Sequence, residues 1–332
     1  MREWDPASAP AAEVEAVLRV LNDIFEADLP DDPRWQLTMF REYLAGTLPG
    51  ERRVAWVAEN GDGVTLGFAG VLLMAGIGVL ELFVHPKYRR SGVATALLAA
   101  VARRAHADGS ASLGVEVVGG TPDEGFYQAN GFRCAFEEIR NVLDLSTVDW
   151  LRLGDMARGV GSGYRIEYHP GGPPEEMYEA YATAKAYVRE LPTSDLELRP
   201  SSYDAQRLRA SLATLHARGL KPYIVLAVHE ASGAVAGLTE VVVPAQRPTR
   251  ADQYDTIVVR AHRGYGLGRA LKARMLFELR AAEPQLRDVQ TWNAAENEYM
   301  LRVNNELGFQ PDRHWYEYEA DVADLVRRLS KV

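Results

Sequence analysis

One arrangement occurs twice in the chain and restricts the folds that it can adopt. A strand-like apolar run at 79–84 leads into Arg89-Arg90-Ser91-Gly92-Val93-Ala94 and then into an alanine-rich helical stretch. The same order returns 174 residues later, where 256–259 precede Arg263-Gly264-Tyr265-Gly266-Leu267-Gly268 and a second helix. Such a turn points backbone N–H groups and the helix dipole at one place, which suits a phosphate. The duplication therefore predicts two copies of one α/β unit, each with an anion-binding turn.

Apolar spacing predicts the same order of elements in both halves: two helices, three strands, then helix, strand, helix and strand. The helix after each turn has an apolar stripe, which consists of Val93, Leu97, Val101 and Ala105 in the first half and Leu267, Leu271, Met275 and Leu279 in the second. Glycine-rich segments near residue 160 indicate a boundary. We therefore expect an N-terminal domain at 1–148, a linker at 149–162 and a C-terminal domain at 163–332.

Composition limits the partners that the sequence predicts. The 332 residues suffice for two domains of ~150 residues each. A net charge of −9 argues against a nucleic-acid partner. Cys134 is the single cysteine, and neither a metal-ligand spacing nor a signal or membrane-spanning run is found in the sequence. The expectation is a cytoplasmic monomer or homodimer with no metal and no membrane partner.

Two other glycine-rich phosphate motifs do not match. A dinucleotide-binding turn needs a third glycine where this chain has Leu271, and a P-loop needs a Gly-Lys-Ser/Thr ending that the sequence lacks. The pattern Arg-x-x-Gly-x-Gly/Ala instead resembles the acyl-CoA signature of the GCN5-related N-acetyltransferase (GNAT) superfamily. Each half also resembles that family in a closing Gly-Phe segment, Phe126 to Phe132 in the first and Asn297 to Phe309 in the second.

The resemblance implies an α/β (α+β) fold of two tandem domains, each a mixed, mostly antiparallel sheet flanked by helices. This tandem form is similar in architecture to mycothiol synthase. The resemblance further implies acetyl-CoA as cosubstrate, with its pyrophosphate on the two turns and its pantetheine on the preceding strands. The implied contacts are Val84, Arg89, Arg90, Gly92, Val93 and Ala94 in the first half, and Val258, Arg263, Gly264, Gly266, Leu267, Gly268 and Asn297 in the second. The alternative for the arginines is a solvated charge.

A carboxylate stands eight residues before each turn arginine, Glu81 before Arg89 and Asp255 before Arg263. Because an alkylammonium must lose a proton before it attacks, a carboxylate on the central strand is a candidate general base. The alternative is a strand-end carboxylate that faces solvent or pairs with an arginine. Tyr127 occupies the position of the family's thiolate acid, whereas the second half has Asn304 there. Tyr299 is a possible substitute for that acid, or a packing residue.

The sequence thus predicts an N-acetyltransferase that moves acetyl from acetyl-CoA to a primary amine of a small molecule by direct attack on the thioester. The longer signature of the second half favours that half as the catalytic one. Two alternatives stay open: a non-catalytic or half-degenerate acetyl-CoA-binding protein, and a protein or peptide N-acetyltransferase. The acceptor pockets are expected at about 22–46 and 185–204, where the sequence contains no transferable code.

Overall fold

The structure is a computed structural model, and it describes residues 1–47, 50–74, 76–190 and 204–330. The chain divides into two compact units. The first unit contains residues 1–137 and 315–330, and the second contains 138–190 and 204–314. The division is therefore not a simple cut in the middle of the sequence.

The first unit has helices on both sides of a mixed sheet in the strand order β1-β2-β3-β4-β5-β12. Only β4 and β5 are parallel, and the other neighbours in this sheet are antiparallel. Its elements are β1 (Arg2–Trp4), α1 (Ala11–Asp28), α2 (Leu37–Ala45), β2 (Glu51–Glu59), β3 (Thr65–Met74), β4 (Ile77–Val84), α3 (Val93–Ala107), β5 (Ser112–Val118), α4 (Asp123–Ala129), most of β12 (Gln310–Asp321) and α10 (Val322–Leu329).

The second unit repeats this plan in the strand order β7-β8-β9-β10-β11-β6, with β10 and β11 as the parallel pair. Its elements are most of β6 (Arg133–Asp144), α5 (Trp150–Arg158), β7 (Tyr164–Pro170), α6 (Tyr178–Lys185), α7 (Ala205–Ala217), β8 (Leu220–His229), β9 (Val235–Pro244), β10 (Arg250–Val258), α8 (Leu267–Ala282), β11 (Asp288–Ala294) and α9 (Glu298–Leu307). The predicted fold class, a mixed and mostly antiparallel sheet with flanking helices in tandem, is confirmed.

Each sheet takes its last strand from the opposite half of the sequence. In the first unit, β12 runs antiparallel to β5, with Trp315 opposite Val118 and Asp321 opposite Ser112. In the second unit, β6 runs antiparallel to β11, with Asp288 opposite Asp144. The described chain therefore passes from the first unit to the second at 137/138 and returns to the first at 314/315. From the sequence, a single boundary was expected, at 149–162.

The segment expected to be a linker contains α5, which packs on α8 within the second unit. Leu153 of α5 is buried in that unit's core, and Asp149 caps the helix by accepting a hydrogen bond from the Arg152 N–H. An N-cap of this kind contributes about 1 kcal/mol to helix stability. Residues 149–162 thus belong structurally to the second unit, because α5 buries an apolar face that a linker would leave in solvent.

The helix that follows each turn is central to the core of its unit. Leu97, Val101 and Ala105 of α3 are fully buried against strands of the first sheet, and the second stripe is buried on α8 in the same way. Each buried Leu or Val contributes roughly 1.5–3 kcal/mol. The predicted stripes are thereby confirmed except at Val93, which is only partly buried, and they fix each helix against its sheet.

The parallel strand pair of each unit separates just before the turn. The ladder of β4 with β5 covers Ile77–Val79, and that of β10 with β11 covers Arg250–Gln253. Beyond these points, among the strands that the structure describes, β4 stays paired with β3 alone and β10 with β9 alone. In this part of the chain, one edge of β4 and of β10 is therefore available to hydrogen-bond an extended ligand.

A glycine on the neighbouring strand lets the backbone approach closely at each separation. A Cβ added at Gly67 would lie 2.6 Å from the Phe83 carbonyl oxygen, and one at Gly237 would lie 2.9 Å from that of Ile257. Both distances are too short for any other residue without a backbone shift. The two glycines occupy matching places, which shows how closely the units repeat each other.

Candidate functional site

The two turns have the same backbone conformation. Arg90 has φ 62° and Gly264 has φ 88°, so an arginine in the first unit holds the left-handed geometry that glycine holds in the second. Gly92 and Gly266, with φ 84° and 75°, are the N-cap residues of α3 and α8. Arg90 is the one described non-glycine residue with positive φ, and such strain is typical of functional sites.

Arg90→Gly is expected to raise the unfolding free energy of the first unit by about 1 kcal/mol, because glycine adopts a positive φ without the Cβ clash. Chemical denaturation of the full-length variant measures the change. Gly264→Arg in the second unit is the matched control, and it should lower stability by a similar amount. A loss of stability in Arg90→Gly would contradict the assignment of strain to this residue.

A cavity of about 520 Å³ lies over the first turn. Its wall includes the separated part of β4, the turn and α4. Of the residues that the sequence assigned to acetyl-CoA in this half, the cavity is lined by Val84, Arg89, Arg90, Gly92 and Ala94. Val93 does not line it. The cavity also contacts Tyr127, Asp123 and Ile24. Asp123 was not foreseen, whereas Ile24 falls within the stretch 22–46 that was expected to form an acceptor pocket.

The second turn has a matching cavity of about 620 Å³. Every residue that the sequence assigned to acetyl-CoA in this half lines it: Val258, Arg263, Gly264, Gly266, Leu267, Gly268 and Asn297. Tyr299 lines it as well, and a Cβ at Gly268 would lie 3.8 Å from the Tyr299 hydroxyl oxygen. Tyr299 is exposed, so its ring is a wall of the cavity and not part of the core.

The turn arginines have carboxylate partners. Arg89 forms a two-pronged ion pair with Asp28 of α1, and the hydrogen bond to Asp28 raises the pKa of the guanidinium. Arg263 donates to Glu190 over 3.0 Å and to the Val258 carbonyl oxygen over 3.1 Å. These ion pairs hold both guanidinium groups beside the turns. A bound anion would compete with the carboxylates for them.

Tyr127 of α4 is buried except where it meets the first cavity. Burial, followed by the nearby carboxylate of Asp123, raises the pKa of the Tyr127 hydroxyl well above its usual value. The pKa of Asp123 is itself raised by burial. Tyr127 therefore keeps its proton at neutral pH and can donate a hydrogen bond into the cavity, while the raised pKa makes it a weaker acid than an ordinary tyrosine.

Asn304, the counterpart of Tyr127, lies beneath the second cavity and does not line it. Its carbonyl oxygen accepts from Lys272 Nζ over 2.7 Å, and its amide donates to Asn293 Oδ1 over 2.6 Å. Lys272 Nζ also lies 4.9 Å from the centre of the Phe309 ring. Burial lowers the pKa of Lys272 to about 7. The sequence position of a proton donor is thus occupied here by a polar cluster inside the core.

Glu81 lies two residues beyond the last parallel pair of β4, where the strands separate. Its carboxylate accepts from the Tyr43 hydroxyl of α2 and from Arg53 Nη1 of β2, the latter over 2.6 Å. Arg53 also stacks on the Tyr43 ring, 4.9 Å from its centre. The Glu81 side chain is 15% exposed. Glu81 is therefore paired with an arginine, and its role as a general base stays a prediction.

Asp255 lies two residues beyond the last parallel pair of β10, the same place as Glu81. A β-bulge sets Tyr254 and Asp255 opposite the single residue Glu240 of β9. Lys185 Nζ of α6 lies 2.5 Å from Asp255 Oδ2 and also pairs with Glu240, which accepts from the Tyr181 hydroxyl. Burial acts to lower the pKa of Lys185, but the two carboxylates outweigh it and raise that pKa.

Neither strand carboxylate lines the two cavities, but both stand at the strand separation from which each cavity begins. Tyr43 and Lys185 fall within the stretches 22–46 and 185–204 that were expected to form the acceptor pockets. Arg53, Tyr181 and Glu240 were not foreseen, since no local pattern connects them to the turns. Of the expected acceptor stretch 185–204, residues 191–203 lie outside the described part of the chain.

Among the described residues, no group of three or more His, Cys, Asp or Glu side chains could hold a metal ion. In the same part of the chain, no helix has the length and apolar character needed to cross a membrane.

Comparisons with known proteins agree with this geometry. A family model described as "Acetyltransferase (GNAT) domain" matches residues 51–134. A tandem GNAT protein from the clavulanic acid biosynthesis pathway is 27% identical, with a TM-score of 0.82, over 97% of this chain and 98% of its own. A GCN5-related N-acetyltransferase from Sphaerobacter thermophilus is 17% identical with a TM-score of 0.69, over 95% and 94% of the two chains. No curated protein matches by sequence.

The comparisons support a tandem protein of the GCN5-related N-acetyltransferase superfamily, because the domain model matches residues 51–134 and the whole chain is similar in fold to a tandem GNAT protein. Members of this family transfer an acyl group from acetyl-CoA to an amine. The family and the fold therefore support an acyl-CoA-dependent N-acetyltransferase in general terms.

Proposed function

We propose that the protein moves the acetyl group of acetyl-CoA to a primary amine of a small molecule, and that the second unit performs the transfer. The observation that supports this most is Asp255, which stands at the strand separation next to a 620 Å³ cavity over an anion-binding turn. The resemblance to a tandem GNAT protein from a pathway for a small molecule favours a small acceptor.

The residues present fit acetyl-CoA. The N–H groups of the turn, from Gly264 to Gly268, would bind the pyrophosphate at the positive end of the α8 dipole. Arg263 would exchange Glu190 for a phosphate oxygen, which its fork of donors can bind by the same charge-assisted hydrogen bonds. The unpaired edge of β10, from Thr256 to Val258, would hydrogen-bond the amides of the pantetheine arm.

The chemistry needs one base and one oxyanion donor. An acceptor that arrives as an ammonium gives one proton to the Asp255 carboxylate. The neutral amine then attacks the thioester carbonyl carbon, the C–N bond forms, and the developing oxyanion accepts from an N–H of β10. The C–S bond breaks, and the thiolate takes up the second proton of the amine. The products are the acetamide, CoA thiol and the proton on Asp255.

The first unit is the less suited to catalysis in this proposal. Its Tyr127 could protonate a thiolate, but Glu81 is covered by Arg53 and Tyr43. That coverage favours a second candidate function for this unit, binding of acetyl-CoA without transfer.

Calorimetric titration of the full-length protein with acetyl-CoA tests the proposal. We expect two binding events. Ala94→Leu should remove the one in the first unit and Gly268→Leu the one in the second, since each puts a large side chain on the floor of one cavity. Only Gly268→Leu should abolish transfer to an amine. If acetyl-CoA at millimolar concentration gives no heat of binding, the proposal is refuted. If acetyl is transferred to peptides and to no small amine, the proposed small-molecule acceptor is wrong.

A further inference from the structure

The two units differ in charge at the point where an acceptor amine would meet the thioester. In the first unit, one carboxylate, Glu81, faces one guanidinium, that of Arg53. In the second unit, two carboxylates, Asp255 and Glu240, share one ammonium, that of Lys185. Among these described groups the first site is neutral and the second carries one negative charge in excess.

The residue that faces the strand carboxylate causes this difference. Asp255 lies beside Glu240 of β9, whereas Gly70 of β3 stands opposite Glu81 in the equivalent place. Lys185 is buried between the two carboxylates and is held in its charged form by them. Because the Lys185 ammonium is shared by two carboxylates, it balances one of their two negative charges. Within this group of three side chains, the other negative charge is left for a ligand to balance.

Exposure identifies which carboxylate is left for a ligand. Glu240 is buried and accepts from both Lys185 and the Tyr181 hydroxyl. The Asp255 side chain is 30% exposed, twice the 15% of Glu81. Lys185 contacts Oδ2 of Asp255, so a second ammonium can approach this carboxylate from the exposed side without removing Lys185.

We propose that the second unit selects acceptors that arrive as cations, alkylammonium or diamine compounds with no carboxylate near the amine, and binds them on Asp255. The proposal rests on the transfer reaction proposed above and narrows its acceptor. The buried Lys185 ammonium supplies one positive charge for the two carboxylates, and the acceptor supplies the other. An amino acid or an acidic peptide would bring a further negative charge against Asp255 and Glu240, which is unfavourable in a partly buried site.

Calorimetry on the full-length protein saturated with CoA tests this with three probes of equal chain length: 1,4-diaminobutane, butylamine and 4-aminobutanoate. We expect binding to weaken in that order, with 4-aminobutanoate at least about tenfold weaker than butylamine. The difference should shrink as salt is added, because screening weakens partly exposed charge pairs. Equal binding of butylamine and 4-aminobutanoate, or no binding of any probe, would overturn the proposal.

In the Asp255→Asn variant, the dissociation constants of butylamine and 4-aminobutanoate should lie within about threefold of each other. Asp155→Asn removes the same charge from an exposed ion pair with Arg158 on α5 and should leave the ratio unchanged. If Asp255→Asn does not fold, the salt series on the unaltered protein tests the same proposal, because the preference for butylamine over 4-aminobutanoate should decrease as salt is added. Loss of CoA binding would refute the transfer reaction itself, whereas acetylation of 4-aminobutanoate as efficiently as butylamine would refute only the charge selection.

Discussion

Asp255→Asn is expected to lower kcat for acetyl transfer by about 10²- to 10⁴-fold. The amide has the shape of the carboxylate but accepts no proton, and an alkylamine with pKa ~10 is almost wholly protonated at pH 7. Steady-state kinetics with saturating acetyl-CoA measure the loss. Raising the pH should restore part of the rate, because a larger fraction of the amine is then neutral without help from the protein.

Glu81→Gln is the matched variant in the first unit, since it makes the same change at the equivalent strand position. We expect a much smaller effect on kcat from it. Full activity in Asp255→Asn together with loss of activity in Glu81→Gln would assign catalysis to the first unit. Acetyl-CoA titrations of both variants should still give two binding events, which separates a lost base from a lost cavity.

Lys272→Met is expected to remove most of the change in unfolding free energy between pH 7 and 10. Burial lowers the pKa of Lys272 from 10.5 to about 7. Between these pH values the unfolded chain binds one proton more than the folded chain, so stability rises with pH. At about 1.4 kcal/mol per pH unit, and with a smaller slope near each pKa, the rise between pH 7 and 10 is roughly 3–4 kcal/mol. It arises because acid conditions force the folded protein to bury a charge.

Urea denaturation at a series of pH values measures the unfolding free energy of the original protein and of Lys272→Met. The contribution of Lys272 is the difference between the two pH dependences. Asn304 Oδ1 loses its donor in Lys272→Met, which costs about 1–3 kcal/mol at every pH and leaves the slope unaffected. Lys87→Met replaces an exposed lysine and serves as the control. Parallel pH profiles for Lys272→Met and the original protein would show that Lys272 stays charged in the folded state.

The sequence predicted the parts of the site that depend on short stretches of chain. The turns at Arg90 and Gly264, the stripes of α3 and α8 and the cavity-lining glycines follow from local backbone preference and helical spacing. The register of Glu81 with Asp255 also followed, because each is counted from its own turn. Their role in binding and catalysis stays a prediction.

Features that depend on distant residues were missed. Lys185 and Tyr181 reach Glu240 across more than fifty residues of sequence, and Arg53 reaches Glu81 across twenty-eight. Nothing local marks such partners. From the sequence, Asn304 was expected to be a poorer acid at the position equivalent to Tyr127. Its burial with Lys272 could have been suspected from a lysine that lies beside the apolar stripe, one position after Leu271.

The exchange of β6 and β12 has a consequence for how the protein is made. Residues 1–137 leave the ribosome long before 315–330, and at ~5–20 residues per second the wait is on the order of ten seconds or more. Throughout that time the edge of β5 that will receive β12 lacks its partner, and an open strand edge invites association with other chains. If the two halves of the sequence were expressed as separate chains, the first would lack β12 and the second would lack β6, so each sheet would keep an open edge.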